Sequence, residues 1–271
     1  MFEEALSTAR ENPEKDTWAE ARALVSLTSV TSPVGSEEEC LALGTQALAL
    51  GREMDDPFTI AVAQESVGNT LRRMLRLEEA LPPIEEAIRI FREIGARWEL
   101  ASALGDRGEI RRLSGGLRDA ERDFREAFDL CVKLGERSLV GWTAGQLVRV
   151  HLAKGDRKAA QRVLDDQAAW VDSGDSGARS ARLLAEGLVA LADGDRVIGL
   201  ERSLQVLEIL REDGWPNPVA AWTWWVGCAF GPAAVGGEAT LEEARARLEA
   251  ARWLHALKEP ELVVFHESGT R

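Results

Sequence analysis

After Gly116 the chain sets Leu117, Ala120, Phe124, Ala127, Cys131 and Leu134 at steps of three and four residues, while Arg118, Glu121, Arg122, Asp123, Arg125, Glu126 and Asp129 fall on the other side. That period is one face of an α-helix rather than the alternation of a half-buried strand. The pattern returns along the chain. Short stretches at Cys40, Ala80, Ala120 and Ala160 stand forty residues apart, and Leu77-Glu78-Glu79-Ala80 is echoed by Leu117-Arg118-Asp119-Ala120 and Leu241-Glu242-Glu243-Ala244. Counting onward gives anchors near Gly199 and Ala244, with spacings of 40, 40, 40, 39 and 45. A fixed period of this length predicts stacked helical pairs, each covering the apolar face of the next.

Turn chemistry agrees with that division. Gly115-Gly116, Gly155-Asp156 and Gly194-Asp195 lie about five residues before an anchor, where a first helix stops and the chain reverses. Gly68, Gly108 and Gly187 lie twelve residues before an anchor, inside the first helix, where glycine costs roughly 1 kcal/mol relative to alanine. A close helix–helix contact at these points would offset that cost. Leu81-Pro82-Pro83 conflicts with a helix opening near Leu77, so the second helix of that repeat is expected either to start late or to bend.

Gly108, Gly115, Ala120, Phe124 and Ala127 resemble the motif of the tetratricopeptide repeat family: a small residue in the first helix, a turn glycine, then alanine, a large apolar residue and alanine in the second. Gly68, Ala80, Ile84 and Ala87 fit the preceding repeat, and Gly187 with Gly194 a later one. The period exceeds the family's usual value of about 34 residues. The aromatic expected early in the first helix is missing, and Gln167 replaces the last alanine of the fourth repeat. The longer period resembles the arrays of bacterial signal-transduction ATPases, maltose-regulator-type activators and some nucleotide cyclases. The resemblance implies an all-α fold, a right-handed α-solenoid of about six helix-turn-helix repeats. The boundaries expected are 16–55, 56–96, 97–136, 137–175, 176–214 and 215–258, with 1–15 a half-repeat or cap and 259–271 a tail of one solenoid spanning 1–271.

The resemblance also implies that the first helices line a concave groove. Registering outward positions from the anchors picks Glu65, Asn69, Arg72, Arg73, Ser102, Glu109, Arg112, Trp142 and Arg149. Asn69 stands where the family often has an asparagine that bonds an extended peptide backbone through both its amide groups. Arg72, Arg112 and Arg149 are about one repeat apart and could hold carboxylates bidentately; the alternative is that they pair internally with Glu65 and Glu109.

Between Asp213 and Glu238 there is no charged residue, and the segment carries Trp215, Trp222, Trp224 and Trp225. Prolines and glycines confine its apolar part to about a dozen residues, below the ~20 a spanning helix needs. It reads as the first helix of a sixth repeat, or as an aromatic docking surface.

Composition narrows the partners. A net charge of −13 argues against nucleic acid, whose phosphates require a basic surface. Only five of 33 cationic residues are lysine, which together with abundant Ala, Gly and Trp suggests a GC-rich bacterial source. Cys40, Cys131 and Cys228 are odd in number and widely spaced, so they read as small core residues in a reducing, cytoplasmic setting. Met1 to Arg10 is amphipathic and acidic, unlike a signal peptide, and Phe2-Glu3-Glu4-Ala5 resembles the opening of a second helix. The chain is therefore expected either to have lost residues upstream or to begin with a capping helix.

His151, His255 and His266 are too far apart for a local metal motif, and His255 with Glu259 makes only one pair. Ser173-Gly174-Asp175-Ser176-Gly177 lacks the strand-turn-helix setting of a nucleophile elbow, and Glu85-Glu86 and Asp165-Asp166 lie on solvated helix faces. No catalytic residue, metal or cofactor is therefore expected. The reading is a noncatalytic protein-interaction or signal-sensing scaffold from a larger bacterial regulator, with a protein or peptide partner, another domain of its own parent chain included, and self-association as a further expectation. The alternative is a free-standing peptide- or small-molecule-binding receptor.

Overall fold

The computed structural model describes residues 17–31, 37–171 and 176–213. Ten helices fill them: α1 (Thr17–Thr31), α2 (Glu37–Glu53), α3 (Pro57–Arg73), α4 (Leu77–Ile94), α5 (Arg97–Leu113), α6 (Leu117–Leu134), α7 (Arg137–Ala153), α8 (Arg157–Val171), α9 (Ser176–Ala192) and α10 (Arg196–Glu212). They form five antiparallel pairs, α1 with α2 through α9 with α10, stacked into a solenoid without strands among the described residues. The half-repeat or cap at 1–15, the sixth repeat at 215–258, the tail at 259–271, and with them Trp215, Trp222, Trp224, Trp225 and Cys228, lie outside the described residues.

Backbone chemistry sets the ends of each pair. Gly115, Gly155 and Gly194 follow first helices with φ of 82°, 72° and 83°, and Gly95 and Gly135 close second helices at 74° and 73°. These are left-handed conformations that reverse the chain at little cost only when no Cβ is present. Asp56, Asp156 and Asp195 then accept from the backbone N–H groups of Thr59, Ala159 and Ile198, which starts α3, α8 and α10. Pro57 occupies the first turn of α3, where its missing donor is harmless.

The anchors Cys40, Ala80, Ala120, Ala160 and Gly199 are each the fourth residue of a second helix and are all buried. Facing them, the glycines of the first helices admit large side chains. A Cβ on Gly68 would lie 2.5 Å from Ile84 Cγ1, and one on Gly108 would lie 2.8 Å from Phe124 Cε1. Ile84 and Phe124 are both the eighth residue of their helix and are fully buried. The close contact expected from the glycine spacing is thus the packing of α3 on α4 and of α5 on α6. Cys40 and Cys131 are buried free thiols, and burial pushes Cys131 up to about 12.

Three local expectations change. α4 begins at Leu77 and carries Pro82 and Pro83 within it, so it does not start late. Asp123, assigned by period to the solvated side of α6, is 1% exposed because Arg107 and Arg111 of α5 reach across and bond it at 2.7–3.1 Å. Aromatics do stand early in the first helices: Trp18, Phe58 and Trp98 are the second residues of α1, α3 and α5, forty residues apart. Phe58 packs edge-on against Phe91 with ring centroids 6.3 Å apart, whereas Trp18 and Trp98 are about half exposed.

Candidate functional site

Successive first helices touch one another directly, and small residues permit it. A Cβ on Gly141 of α7 would lie 2.9 Å from that of Ala181 on α9, and one on Gly105 of α5 would run into the ring of Trp142 on α7. The first helices therefore form the tighter side of the stack. Second helices are bridged by long surface side chains, as where Arg92 of α4 bonds Glu126 of α6 at 2.6 Å. Such a difference in spacing curves a solenoid towards its first helices.

On that inner side the polar residues of α3, α5 and α7 form a connected set. Asn69 donates to Asp106 across the α3–α5 seam at 3.1 Å and accepts from Arg72 at 2.7 Å. Arg72 Nε lies 3.8 Å from the other Asp106 oxygen. Glu65 neighbours Ser102 on α5, whose hydroxyl favours the charged form of the carboxyl. On α5 itself Arg112 donates twice to Glu109 at 2.7 Å, and Arg149 of α7 stands 3.6 Å from the same carboxylate while donating to Gln146 at 2.9 Å. Trp142, partly exposed, packs edge-on to Phe124 and lays its ring over Gly105.

The charges in this set are unevenly compensated. Burial, and then the charge of Asp106, raises the Glu65 carboxyl to about 8. Burial raises Asp106 as well, against the pull of Arg72 and Arg73. Burial also opposes ionisation of Glu109, but Arg149 and Arg112 overcome it and hold that group below the usual carboxylate range. Two guanidinium groups thus share one carboxylate at the α5–α7 seam.

Of the nine groove positions read from the sequence, the structure brings Glu65, Asn69, Arg72, Ser102, Glu109, Arg112, Trp142 and Arg149 onto one face. Arg73 departs from them: it donates to both Glu37 oxygens of α2, at 3.1 and 2.9 Å. Arg72, Arg112 and Arg149 all have internal partners, chiefly Asn69, Glu109 and Gln146 rather than Glu65. Asp106 and Gln146 were overlooked. Ser66, Asp106 and Gln146 are the tenth residues of α3, α5 and α7, a polar column at forty-residue spacing that the period could have revealed.

An open groove of about 630 Å³ runs along α6, where Arg118, Arg122, Arg125 and Lys133 are interspersed with Glu121, Glu126 and Asp129. Its charges are of both signs and solvated. Among the described residues no group of three or more His, Cys, Asp or Glu side chains could hold a metal ion, and no helix is long and apolar enough to cross a membrane.

No family model matches the chain, and no curated protein matches it. Solved structures do. A Rap protein complexed with Competence and Sporulation Factor has 16% identity and a TM-score of 0.63 over 95% of this chain and 72% of its own. BtubC (BKLC) from P. vanneervenii has 18% identity and a TM-score of 0.57, covering 79% of this chain and 89% of its own. A Podosopora anserina protein of the kinesin light chain type, with nearly identical TPR-like repeats, has 16% identity and a TM-score of 0.53 over 72% of this chain and 96% of its own. Identities this low speak to architecture. Together with the paired helices, the turn glycines and the glycine-to-large-residue packing, they show that this chain has the tetratricopeptide-type α-solenoid fold.

Proposed function

We propose that the chain is a noncatalytic interaction module whose inner face, built by α3, α5 and α7, receives a protein or peptide partner. The observation that carries this reading is the set of amide, guanidinium and carboxylate groups from three successive first helices on one curved face beside a partly exposed Trp142. An extended peptide offers a donor and an acceptor at every residue, and such a set can satisfy both. The fold likeness to a Rap protein complexed with a factor supports a receiving role for this architecture. The net charge of −13 favours partners with neutral or basic surfaces at the rim and makes nucleic acid unsuitable. A sensing or docking module of a larger cytoplasmic bacterial regulator is the setting that fits best.

The test is a random-peptide display selection against the immobilised chain, with Asn69→Ala and Trp142→Ala variants alongside. Enriched peptides should lose at least tenfold in affinity for both variants. Peptides that bind all three proteins equally, or no enrichment at all, would remove the inner face as the binding site. Arg112 is unsuited to charge reversal here, because a carboxylate placed beside buried Glu109 would damage the fold itself.

A further inference from the structure

At one end of the stack the last turns of α4 and α6 meet the first turns of α5 and α7. The buried contact among Ala101, Cys131 and Val140 fixes this, because Trp98 lies one turn before Ala101, Leu134 one turn beyond Cys131 and Arg137 one turn before Val140. Ile94, Trp98 and Leu134 are large apolar side chains left exposed here. With them stand Arg97, Lys133 and Arg137, exposed as well. Among the described residues none of these three cations has a hydrogen bond or ion pair. Arg157 makes the contrast: it opens α8 as Arg97 opens α5 and Arg137 opens α7, and it is paired with Asp193. Of the nearby carboxylates, Glu93 is held by Arg89 at 2.6 Å and Glu99 stands close enough to Glu65 to raise it. That leaves Glu136 and, one turn back from Lys133, Asp129, which is also within a turn of Arg125.

Two of these arginines work against their own helices. The first residue of a helix sits at the positive end of the macrodipole, where a cation is unfavourable. Arg97 and Arg137 occupy that place and bond nothing within the fold, so folding does not account for them. We propose that this end is a docking surface for an acidic segment of a partner protein that carries an apolar or aromatic anchor. The anchor covers Ile94, Trp98 and Leu134, and the carboxylates pair with Arg97, Lys133 and Arg137. Charge complementarity selects this occupant: the chain as a whole carries −13, yet the unpaired charge at this end is predominantly positive. Guanidinium groups take carboxylates bidentately, and exposed tryptophan beside arginine is the composition of interface anchors. The surface lies at helix ends, apart from the polar network of the inner face, and does not depend on that face binding anything.

The experiment titrates an N-acetylated, amidated Glu-Glu-Leu-Phe-Glu-Glu peptide into the ¹⁵N-labelled chain up to millimolar concentration and follows amide shifts. Two comparison probes replace every glutamate by lysine, or the leucine and phenylalanine by alanine. The acidic apolar peptide should move amides of 94–98 and 133–137, and the comparison probes should leave them still. The double variant Arg97→Gln/Arg137→Gln removes two charges without removing a bond, so it should keep the wild-type melting temperature or slightly exceed it and should weaken the peptide at least fivefold. No shift, shifts elsewhere only, equal shifts with either comparison probe, or undiminished binding to the folded double variant would overturn the inference; the wild-type shift map decides it even if that variant fails to fold. Broadening of these amides in the free protein that sharpens on dilution would also overturn it, by giving this end to a second copy of the chain. Peptides selected through Asn69 and Trp142 should bind the double variant as they bind the wild type, so the two surfaces stand or fall separately.

Discussion

At the scale of single residues, Gly108 and Gly145 occupy similar helix interiors and should respond oppositely to the same methyl. In Gly108→Ala the new Cβ meets the ring of Phe124, which is fully buried and has nowhere to retreat. Overpacking of this kind costs about 1–3 kcal/mol, more than the gain in helix propensity. Gly145→Ala meets nothing and should gain up to about 1 kcal/mol. Urea denaturation of the two variants reads both signs. Leu75 offers a separate test, because it stands at the turn position of Gly115 and Gly155 with φ of 58° and is about half exposed. Left-handed backbone costs a residue with a Cβ roughly 1–2 kcal/mol, so Leu75→Gly should raise stability by about 1 kcal/mol. An unchanged or lower midpoint would mean that the leucine side chain contributes more than the turn costs.

At the scale of elements, α4 carries two prolines where its sequence period asks for uninterrupted helix. Pro82 and Pro83 are its sixth and seventh residues, so the carbonyls of Glu78 and Glu79 cannot receive their usual helical donors. Pro82 is exposed, and Pro82→Ala restores one donor without touching the core. A gain of about 1–3 kcal/mol is expected in thermal or urea unfolding. The α3–α5 seam makes a pH-dependent prediction. Glu65 is raised in the folded state, so its contribution is fully present below the ordinary carboxylate pKa and is lost as pH rises through about 8. The wild-type melting temperature should therefore fall between pH 6 and pH 9, and Glu65→Gln should flatten that slope. A slope that survives the substitution would place the titrating group elsewhere.

The elements show what a sequence can and cannot disclose. The forty-residue anchors and turn glycines carried the architecture because every repeat must bury the same face and reverse at the same place, and both demands fall on residue type. Gly68 and Gly108 disclosed their contacts with Ile84 and Phe124 for the same reason. Asp123 did not, since its burial depends on Arg107 and Arg111 arriving from another helix, which no period within α6 records. Asp106 and Gln146 are not legible as part of the face from residue type alone, because their place in it comes from bonds to Asn69 and Arg149. The internal pairing of the arginines depends on rotamers, and spacing constrains those weakly.

For the whole molecule, five stacked pairs place one side of every first helix on a common curved surface, so affinity can be spread over several weak contacts. No single substitution there should abolish binding, and paired substitutions in α3 and α7 should add nearly independently, their sites being a repeat or more apart. The most direct measurement is photo-crosslinking of a selected peptide carrying benzophenone at successive positions, with adducts mapped by mass spectrometry. Adducts concentrated on α3, α5 and α7, stepping from helix to helix as the benzophenone moves along the peptide, are the predicted result. Adducts concentrated on α4 and α6 would contradict the account and assign recognition to the outer side of the solenoid.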